Sequence, residues 1–257
     1  MIKKNMKTKN RHIMIVGGCG GMGIHIAQKL LNESTNLSLT TLPNTVCDKF
    51  KSTKNVSIIE ADVTKESDDK NQFKKAIKKF GKIDHLIITV GVSHLGKLLD
   101  VGREEWDIIM NTNVWGILRT IQESVHYLKK GAKIVVIGSD VGFKPSHDIP
   151  LYSISKIALH SIITLLSQEL PKFNISISGI APYNTPPGMK RVFSKRKDKL
   201  ICEPEDCNTP DWGNLPPTGR FIDVNTIANT VNFLLDSSND YNGTIIPITG
   251  GYGMTIS

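Results

Sequence analysis

The sequence contains no long hydrophobic run. None of its apolar stretches reaches the roughly 18 residues that a membrane-spanning helix needs. The N-terminal segment, MIKKNMKTKNRH, is followed by no apolar stretch of the kind that a secretory signal has, and it is too short and Lys-rich for a mitochondrial presequence. Repeats, low-complexity tracts and interdomain linkers are also missing. We therefore expect no membrane partner and predict one cytoplasmic domain over residues 12–257, preceded by a basic flexible tail over residues 1–11.

Cysteine is scarce, and its four copies are not spaced for a metal. Cys19, Cys47, Cys202 and Cys207 form no C-x-x-C pair, and no histidines stand at the spacing of zinc ligands. We expect no metal site and interpret the cysteines as free thiols in a reducing compartment. Two alternatives stay open, namely a bridge between Cys202 and Cys207 and a redox-sensitive Cys19 at the start of a helix.

The positive charge is concentrated in two segments. Residues 1–11 carry five basic groups and no acid, and residues 190–199 carry six basic groups and one acid. The net charge of the whole chain is +8, so the remainder is close to −2. Because the body of the protein is not basic, we expect no nucleic-acid partner and interpret the tail as a solvated terminus.

Short apolar runs alternate with amphipathic stretches along the chain. Most runs are rich in Ile and Val and nearly continuous, as is typical of strands buried on both faces. Strands are predicted over residues 12–16, 37–42, 56–61, 85–90, 133–137, 175–180 and 244–248. Helices are predicted over residues 22–31, 68–80, 103–129, 152–170 and 225–236. This order predicts an α/β, doubly wound Rossmann-type fold, with a seven-stranded, mostly parallel sheet and helices on both faces.

The stretch MIVGGCGGMGIHIAQKL, residues 14–30, has five glycines within seven positions. They lie between a predicted strand and a predicted helix, which is the context that a dinucleotide-binding turn requires. Glycine permits a tight turn and a close approach to a pyrophosphate, and the helix N-terminus attracts that anion. The alternative is a glycine-rich turn without a ligand. Two spacings fit, G-x-G-x-x-G at Gly18, Gly20 and Gly23, and G-x-x-x-G-x-G at Gly17, Gly21 and Gly23.

The end of the second predicted strand does not identify the cofactor. An NAD site of this fold has an acid there for the adenosine ribose, and an NADP site has a cation nearby. The strand ends Thr40-Thr41-Leu42, and the residue before Gly21 is Gly20. We therefore predict NAD or NADP without resolving the two.

A tyrosine and a lysine are spaced for proton transfer. Tyr152 and Lys156 are four residues apart, so they share one face of a helix. A tyrosine with a pKa near 10 needs a neighbouring cation to act as a base near neutral pH. Ser139 ends an apolar strand thirteen residues upstream, at the edge of the sheet where ligands bind. A hydroxyl group there can hold the reacting oxygen of a substrate.

These motifs resemble the short-chain dehydrogenase/reductase family over nearly the whole chain. The family turn TGxxxGxG selects the second glycine spacing, with Val16 in place of its Thr. Only Gly91 is present from the family's Asn-Asn-Ala-Gly element, and Pro182-Tyr183 replaces its Pro-Gly. Asp62 matches the family's acid for the adenine ring, although the same carboxylate can be a helix N-cap before Thr64. The resemblance implies cofactor contacts from Gly17, Gly21, Met22, Gly23, Thr41, Asp62, Val63, Gly91, Tyr152, Lys156, Pro182 and Thr185.

The resemblance also implies a catalytic tetrad of Asn113, Ser139, Tyr152 and Lys156. The N-x-x-G spacing favours Asn113 over Asn111. Tyr152 would exchange a proton with the substrate oxygen, Lys156 would lower the pKa of Tyr152, and Asn113 would hold a water that relays protons. The implied activity is NAD(P)-dependent interconversion of a secondary alcohol and a ketone. The alternatives are a non-catalytic NAD(P)-binding regulator and a sugar-nucleotide epimerase of the extended type.

The substrate itself is not identified by any motif. The family's substrate loop corresponds to residues 185–220, which contain the basic cluster 190–199. That cluster is a solvated surface or a device that attracts an anionic small molecule. His147 lies where the family's substrate pocket opens, and we expect it near the substrate. The resemblance further implies a homotetramer or homodimer, formed through the predicted helices 103–129 and 152–170.

Overall fold

The computed structural model of the protein describes residues 10–186, 192–194 and 215–252. Seven strands form one sheet with every neighbouring pair parallel, in the order β3-β2-β1-β4-β6-β7-β9. These strands are β1 Arg11–Val16, β2 Thr35–Thr41, β3 Val56–Glu60, β4 Ile83–Ile88, β6 Leu128–Ile137, β7 Ile175–Pro182 and β9 Ile245–Ile248. All seven predicted strands are confirmed, and so is the doubly wound Rossmann-type fold.

Each face of the sheet is covered by an apolar cluster. One cluster packs helix α1, Gly21–Leu30, and helix α6, Val224–Asp236, against the sheet. The other packs the opposite face against helices that cross between the strands. Those helices are α2 Glu66–Phe80, α4 Gly116–Ser124 and α5 Pro150–Glu169, whereas helix α3, Arg103–Met110, packs through Ile109 on Leu151 of α5 in a separate small cluster. Two-sided burial explains why the strands show almost no polar alternation.

The predicted helix over residues 103–129 is wrong in two respects. A π-helical turn, Asn111–Trp115, interrupts it between α3 and α4, and the helix ends at Ser124. A turn follows, in which the Tyr127 amide donates to the Ser124 carbonyl oxygen, and β6 begins at Leu128. Tyr127 stacks on Phe73 in the core, so its apolar character reflects packing rather than a further helical turn.

A second, two-stranded sheet is absent from the sequence prediction. Strand β5, Ser93–Leu95, pairs in parallel with strand β8, Val192–Ser194. Both strands have three residues, which is too short for a recognisable alternation. Most of the predicted substrate loop 185–220 and of its basic cluster lies outside the described residues. So do residues 1–9 of the predicted tail, whereas Arg11 already belongs to β1 and forms an ion pair with Asp236.

The order of the sheet creates the crevice in which the site lies. Successive strands proceed in one direction from β1 to β3 and in the other from β4 to β9. In such a sheet, ligands bind outside the carboxyl ends of the strands at the point where the order reverses. Here that point lies between β1 and β4. Within the part of the chain that the structure describes, no helix has the length and apolarity needed to cross a membrane.

Candidate active site

The glycine turn joins β1 to α1 under tight steric constraints. Gly17 has φ +81°, and a Cβ atom there would lie 2.8 Å from the Thr89 hydroxyl oxygen. A Cβ atom on Gly23 would overlap the Gly17 carbonyl oxygen. Helix α1 begins at Gly21, and no side chain caps its first N–H groups. The helix itself supplies no acceptors for these N–H groups, and the glycines of the turn have no side chains to cover them. The turn therefore suits an anionic pyrophosphate.

Two threonines brace this turn, and no motif indicates either of them. The Gly17 amide donates to the Thr40 hydroxyl oxygen at 2.9 Å. The Thr89 hydroxyl group lies 3.1 Å from the Val16 carbonyl oxygen and 3.0 Å from that of Gly17. Thr89 stands in the segment Ile88-Thr89-Val90-Gly91, where the family's Asn-Asn-Ala element is missing. Its hydroxyl group therefore supplies a connection between β4 and the glycine turn.

The expectation of free thiols is wrong for two of the four cysteines. Cys19 in the glycine turn and Cys47 after β2 form a disulfide, with their Cα atoms 5.6 Å apart. Sequence spacing did not reveal the pair because 28 positions separate the two residues, and the fold alone brings them together. Cys202 and Cys207 lie outside the described residues, and the alternative of a bridge between them stays a prediction.

The predicted adenosine-binding residues lie at the ends of β2 and β3. Thr41 is buried at the end of β2, and its carbonyl oxygen accepts from the Ala61 amide at 2.8 Å. The Asp62 carboxylate accepts from the Thr64 amide at 2.9 Å and from the Thr64 hydroxyl group at 2.8 Å. Helix α2 begins only at Glu66 and has Lys65 as its N-cap, so Asp62 closes a local turn and the alternative of a helix N-cap is wrong. Both bonds from Thr64 use one oxygen of the carboxylate, so the predicted contact of Asp62 with an adenine ring is compatible with this geometry.

Helix α4 fixes the position of the neighbouring Val63. The Arg119 guanidinium group lies 3.3 Å from the Val63 carbonyl oxygen and forms a 3.0 Å ion pair with Asp69. A Cβ atom on Gly116 would lie 2.6 Å from the same carbonyl oxygen, so only glycine permits this approach. The position of Val63 thus depends on two α4 residues that no cofactor motif names.

Asn113 lies in the π-helical turn and is completely buried. Its amide nitrogen donates to the Val92 carbonyl oxygen at 2.8 Å and to the Ser155 hydroxyl oxygen at 3.0 Å. Its amide oxygen accepts from the Val92 backbone at 2.9 Å. These bonds tie α5 to the segment that follows Gly91. Asn113 therefore acts visibly as a positioning residue, and its predicted role in holding a water stays a prediction.

The structure brings Ser139, Tyr152 and Lys156 together beyond the carboxyl end of β6. The Ser139 hydroxyl group lies near enough to the Tyr152 phenol to lower its pKa, and the Lys156 Nζ atom lies 5.5 Å from the Tyr152 ring centroid. Nζ also donates to the Ile137 carbonyl oxygen at 3.3 Å. All three side chains are buried, as the predicted helix face requires.

Burial dominates the protonation of this group. It raises the pKa of the Tyr152 phenol, which the bond from Ser139 lowers and the nearby Asp140 carboxylate raises further. Burial lowers the pKa of Lys156 to about 8. In the protein without cofactor, Tyr152 therefore keeps its proton at neutral pH. A protonated phenol is the form that donates a proton to a carbonyl oxygen.

Asp140 is a site residue that the motifs do not indicate. The Ser139 hydroxyl group donates to an Asp140 carboxylate oxygen at 3.0 Å. Burial raises the pKa of Asp140 to about 6, while its bonds with Ser139 and with the backbone lower it. Ser139 and Asp140 thus form a hydrogen-bonded pair beside the Tyr152 phenol. The sequence signal that could have indicated Asp140 is its position directly after Ser139, the serine beyond the end of β6.

The remaining predicted residues differ in their placement. Pro182 ends β7 beside β9, and the buried Thr185 donates to the Tyr183 carbonyl oxygen at 2.7 Å. Both lie at the carboxyl edge of the sheet. His147, in contrast, is 94% exposed and forms its ion pair with the neighbouring Asp148. The structure gives no support for a substrate contact by His147.

Known proteins of one family are similar to this chain in sequence. A sequence model of the family described as short chain dehydrogenase matches residues 11–198. An uncharacterised oxidoreductase of Staphylococcus epidermidis is 28% identical over 197 residues, which cover 74% of this chain and 86% of that one. A diacetyl reductase [(S)-acetoin forming] from the same species is 25% identical over 242 residues, covering 89% and 92% of the two chains.

Solved structures have the same architecture. The crystal structure of a short chain dehydrogenase family protein from Francisella tularensis superposes with a TM-score of 0.77 at 25% identity, covering 94% of this chain and 98% of the other. A crystal structure of BdcA in complex with NADPH superposes with a TM-score of 0.77 at 19% identity, covering 95% of each chain. At that identity the likeness concerns the fold.

Proposed function

Because the chain belongs to the short-chain dehydrogenase family, we propose that Tyr152, Ser139 and Lys156 reduce a small ketone, or oxidise the corresponding secondary alcohol. The protein is an oxidoreductase of the NAD(P)-dependent kind that acts on CH–OH or C=O groups. The convergence of the three side chains at the carboxyl end of β6 carries the assignment of residues. A non-catalytic regulator would not need a buried lysine beside a buried tyrosine.

Each of these side chains has a task that its surroundings support. Tyr152 gives its proton to the carbonyl oxygen in reduction and takes one from the alcohol in oxidation. Ser139 holds that oxygen at hydrogen-bonding distance. Lys156, whose pKa of about 8 leaves it mostly protonated at neutral pH, stabilises the phenolate that forms when Tyr152 gives up its proton. Bound NAD(P) supplies or accepts the hydride.

The residues at the crevice fit a dinucleotide. Cβ atoms would fill the turn at Gly17 and Gly23, and the free N–H groups at the start of α1 suit a pyrophosphate. Thr41 and Asp62 would flank the adenosine, and Thr185 would hold the nicotinamide amide. The other proposed contacts are Gly21, Met22, Val63, Gly91, Tyr152, Lys156 and Pro182. Since BdcA binds NADPH and no acid ends β2, we propose NADPH as the first cofactor to test.

For the substrate we propose a small, uncharged ketone or diketone. One relative is a diacetyl reductase, and the Asp140 carboxylate lies beside the Ser139 hydroxyl group that would hold the carbonyl oxygen. A negative charge next to that carbonyl would be repelled by Asp140. The prediction of an anionic substrate depends on residues 190–199, and paired screens of neutral and carboxylated ketones test it.

The decisive experiment combines cofactor titration with one matched pair of variants. NADH and NADPH are titrated separately while energy transfer from the three tryptophans to the nicotinamide is measured. We expect Tyr152→Phe to retain binding of the preferred cofactor, because the other proposed contacts are unchanged, and to reduce diacetyl about 100- to 10,000-fold more slowly, the range that general acid catalysis contributes. Tyr241→Phe, which alters a tyrosine packed on Phe233 at the surface, is the control.

Three outcomes have different meanings. Slow turnover in Tyr152→Phe alone supports the assignment. Equal turnover in both variants contradicts the role of Tyr152. A wild-type protein that binds cofactor but reduces none of a broad set of ketones supports the non-catalytic alternative.

We further propose a cytoplasmic homo-oligomer built on α3, α4 and α5. Large apolar side chains are exposed on α3, on the π-helical turn before α4 and on α5, namely Trp106, Trp115 and Leu165. Exposure of such side chains to water is unfavourable. Symmetric pairing of the helices would cover them. Sedimentation of the purified protein checks this, and a monomer at micromolar concentration would contradict it.

A further inference from the structure

A covalent bond joins two segments that line opposite sides of the crevice. Cys19 belongs to the glycine turn, and Cys47 belongs to the segment that follows β2. In a doubly wound sheet, the adenosine half of a dinucleotide lies between the turn after the first strand and the end of the second strand. The bridge therefore lies in the apolar cluster beside the position that the adenosine ribose would occupy.

The bridge also holds the second segment in place. Residues 43–46 are exposed, whereas Cys47 and Phe50 are buried in the cluster that contains Cys19 and Leu39. Between β2 and Phe50, the backbone bonds within the segment are the turn bond from the Thr45 amide to the Leu42 carbonyl oxygen and those of the short helical turn that ends at Phe50. The disulfide adds to apolar packing a covalent connection from this segment to the glycine turn.

We propose that Cys19 and Cys47 form a thiol–disulfide modification site that sets the affinity of the protein for its cofactor. Disulfides of reducing compartments are usually transient or regulatory rather than structural. The inference rests on the proposed function in one respect, namely that the adenosine half of NAD(P) binds between the glycine turn and β2. It adds a chemical modification that the reaction itself does not require.

The modification is a thiol–disulfide exchange with a small dithiol. One thiolate of the reagent attacks the Cys47 sulfur, which is the more exposed of the two at 7% against 3%, and releases Cys19 as a thiolate. The second thiolate of the reagent then attacks its own sulfur in the mixed disulfide and releases Cys47. The protein gains two thiols and their two protons, and the reagent leaves as a cyclic disulfide. A small-molecule disulfide reverses the reaction.

The bridged form binds the cofactor more tightly. Without the bridge, the segment from residue 42 to residue 50 regains conformations that it must lose again when the adenosine binds. Such ordering weakens binding by about three- to tenfold when one or two side chains are immobilised. Because linkage is reciprocal, a saturating concentration of cofactor must shift the thiol–disulfide equilibrium toward the disulfide by the same factor.

The test compares cofactor affinity in the two redox states. The full chain carries Cys202→Ser and Cys207→Ser, so that the proposed pair is the only source of thiols. NADPH and NADH are titrated by energy transfer before and after reduction with dithiothreitol, and thiols are counted by a chromogenic disulfide reagent. We expect no reactive thiol before reduction, two after it, and a dissociation constant that rises three- to tenfold.

Cys47→Ser is the matched variant. It leaves Cys19 in the glycine turn, and we expect it to bind the cofactor like the reduced protein and to be insensitive to dithiothreitol. Equal affinity in both redox states, tighter binding after reduction, or two free thiols after treatment with oxidised glutathione would each overturn the proposal. Binding of neither cofactor in either state would instead refute the assignment of the cofactor site, so the two failures are distinguishable.

Discussion

The two ends of the crevice are built in different ways. At the reacting end, Ser139, Tyr152 and Lys156 are buried polar groups whose hydrogen bonds and protonation decide what chemistry is available. At the phosphate end, the surface is the backbone of a glycine turn that rests on apolar side chains and a disulfide. Proton transfer demands particular functional groups, whereas a pyrophosphate can be held by N–H groups that every residue except proline carries.

This difference determines how each end responds to substitution. A side-chain change at the reacting end removes a chemical group but leaves the space. A change at the phosphate end leaves the chemistry but removes the space, because a Cβ atom there meets backbone atoms that cannot move independently. The three predictions below concern Gly23 at the phosphate end, Asp140 at the reacting end, and Thr89, which connects the glycine turn to β4.

The largest effect is expected from Gly23→Ala at the phosphate end. The added Cβ atom would overlap the Gly17 carbonyl oxygen and would approach Gly18 Cα to 2.9 Å, so the glycine turn must shift away from α1. Overpacking of this kind costs about 1–3 kcal/mol, which is about 5- to 150-fold in the dissociation constant of NAD(P). Cofactor titration measures it, with Gln28→Ala on the exposed side of α1 as the control.

The same comparison explains what the sequence could predict. The seven strands were predictable because strands buried on both faces are nearly continuous runs of Ile and Val. Tyr152, Lys156 and Ser139 were predictable because proton transfer restricts residue type and spacing. The helical break at Asn111–Trp115 was not predictable, since the apolar pattern continues through it.

Features that depend on three-dimensional proximity stayed hidden for a physical reason. Cys19 and Cys47, or Thr89 and Gly17, are far apart in the chain, and only the order of the strands brings them together. Spacing rules describe neighbours on one element and carry no information about such pairs. Asp140 stayed hidden differently, because its effect is exerted through Ser139 and no motif of the family includes it.

At the reacting end, Asp140→Asn should change both stability and the pH profile. Burial raises the pKa of Asp140 from 3.8 to about 6, so the folded state binds this proton more tightly than the unfolded state. Asp140 therefore favours folding below pH 4, and this contribution is lost as the pH rises through about 6. At pH 8, Asp140→Asn removes a buried charge, and we expect the free energy of unfolding to rise by up to about 3 kcal/mol.

Unfolding by urea at pH 4 and at pH 8 measures this difference. The increase should be present at pH 8 and nearly absent at pH 4, and an equal change at both values would contradict the assigned pKa. Activity gives a second measurement. Below pH 6, Asp140 is protonated and accepts the hydrogen bond of Ser139 less strongly, so the Ser139 proton can turn to the substrate oxygen. The rate of ketone reduction by the wild type should therefore increase below pH 6. The Asp140→Asn variant should not show this pH-dependent increase.

The smallest effect is expected from Thr89→Val, which tests the connection between the glycine turn and β4. Valine keeps the shape of the side chain but leaves the Val16 and Gly17 carbonyl oxygens without the Thr89 hydroxyl group. A lost hydrogen bond of this kind costs about 0.5–1.5 kcal/mol of stability. Thermal unfolding measures the cost, and Thr89→Ser, which retains the hydroxyl group, should recover most of it.

Because this bond tethers the glycine turn to β4, cofactor affinity should fall in the valine variant and return in the serine variant. If the affinity were unchanged while stability fell, Thr89 would support the sheet alone and not the cofactor-binding turn.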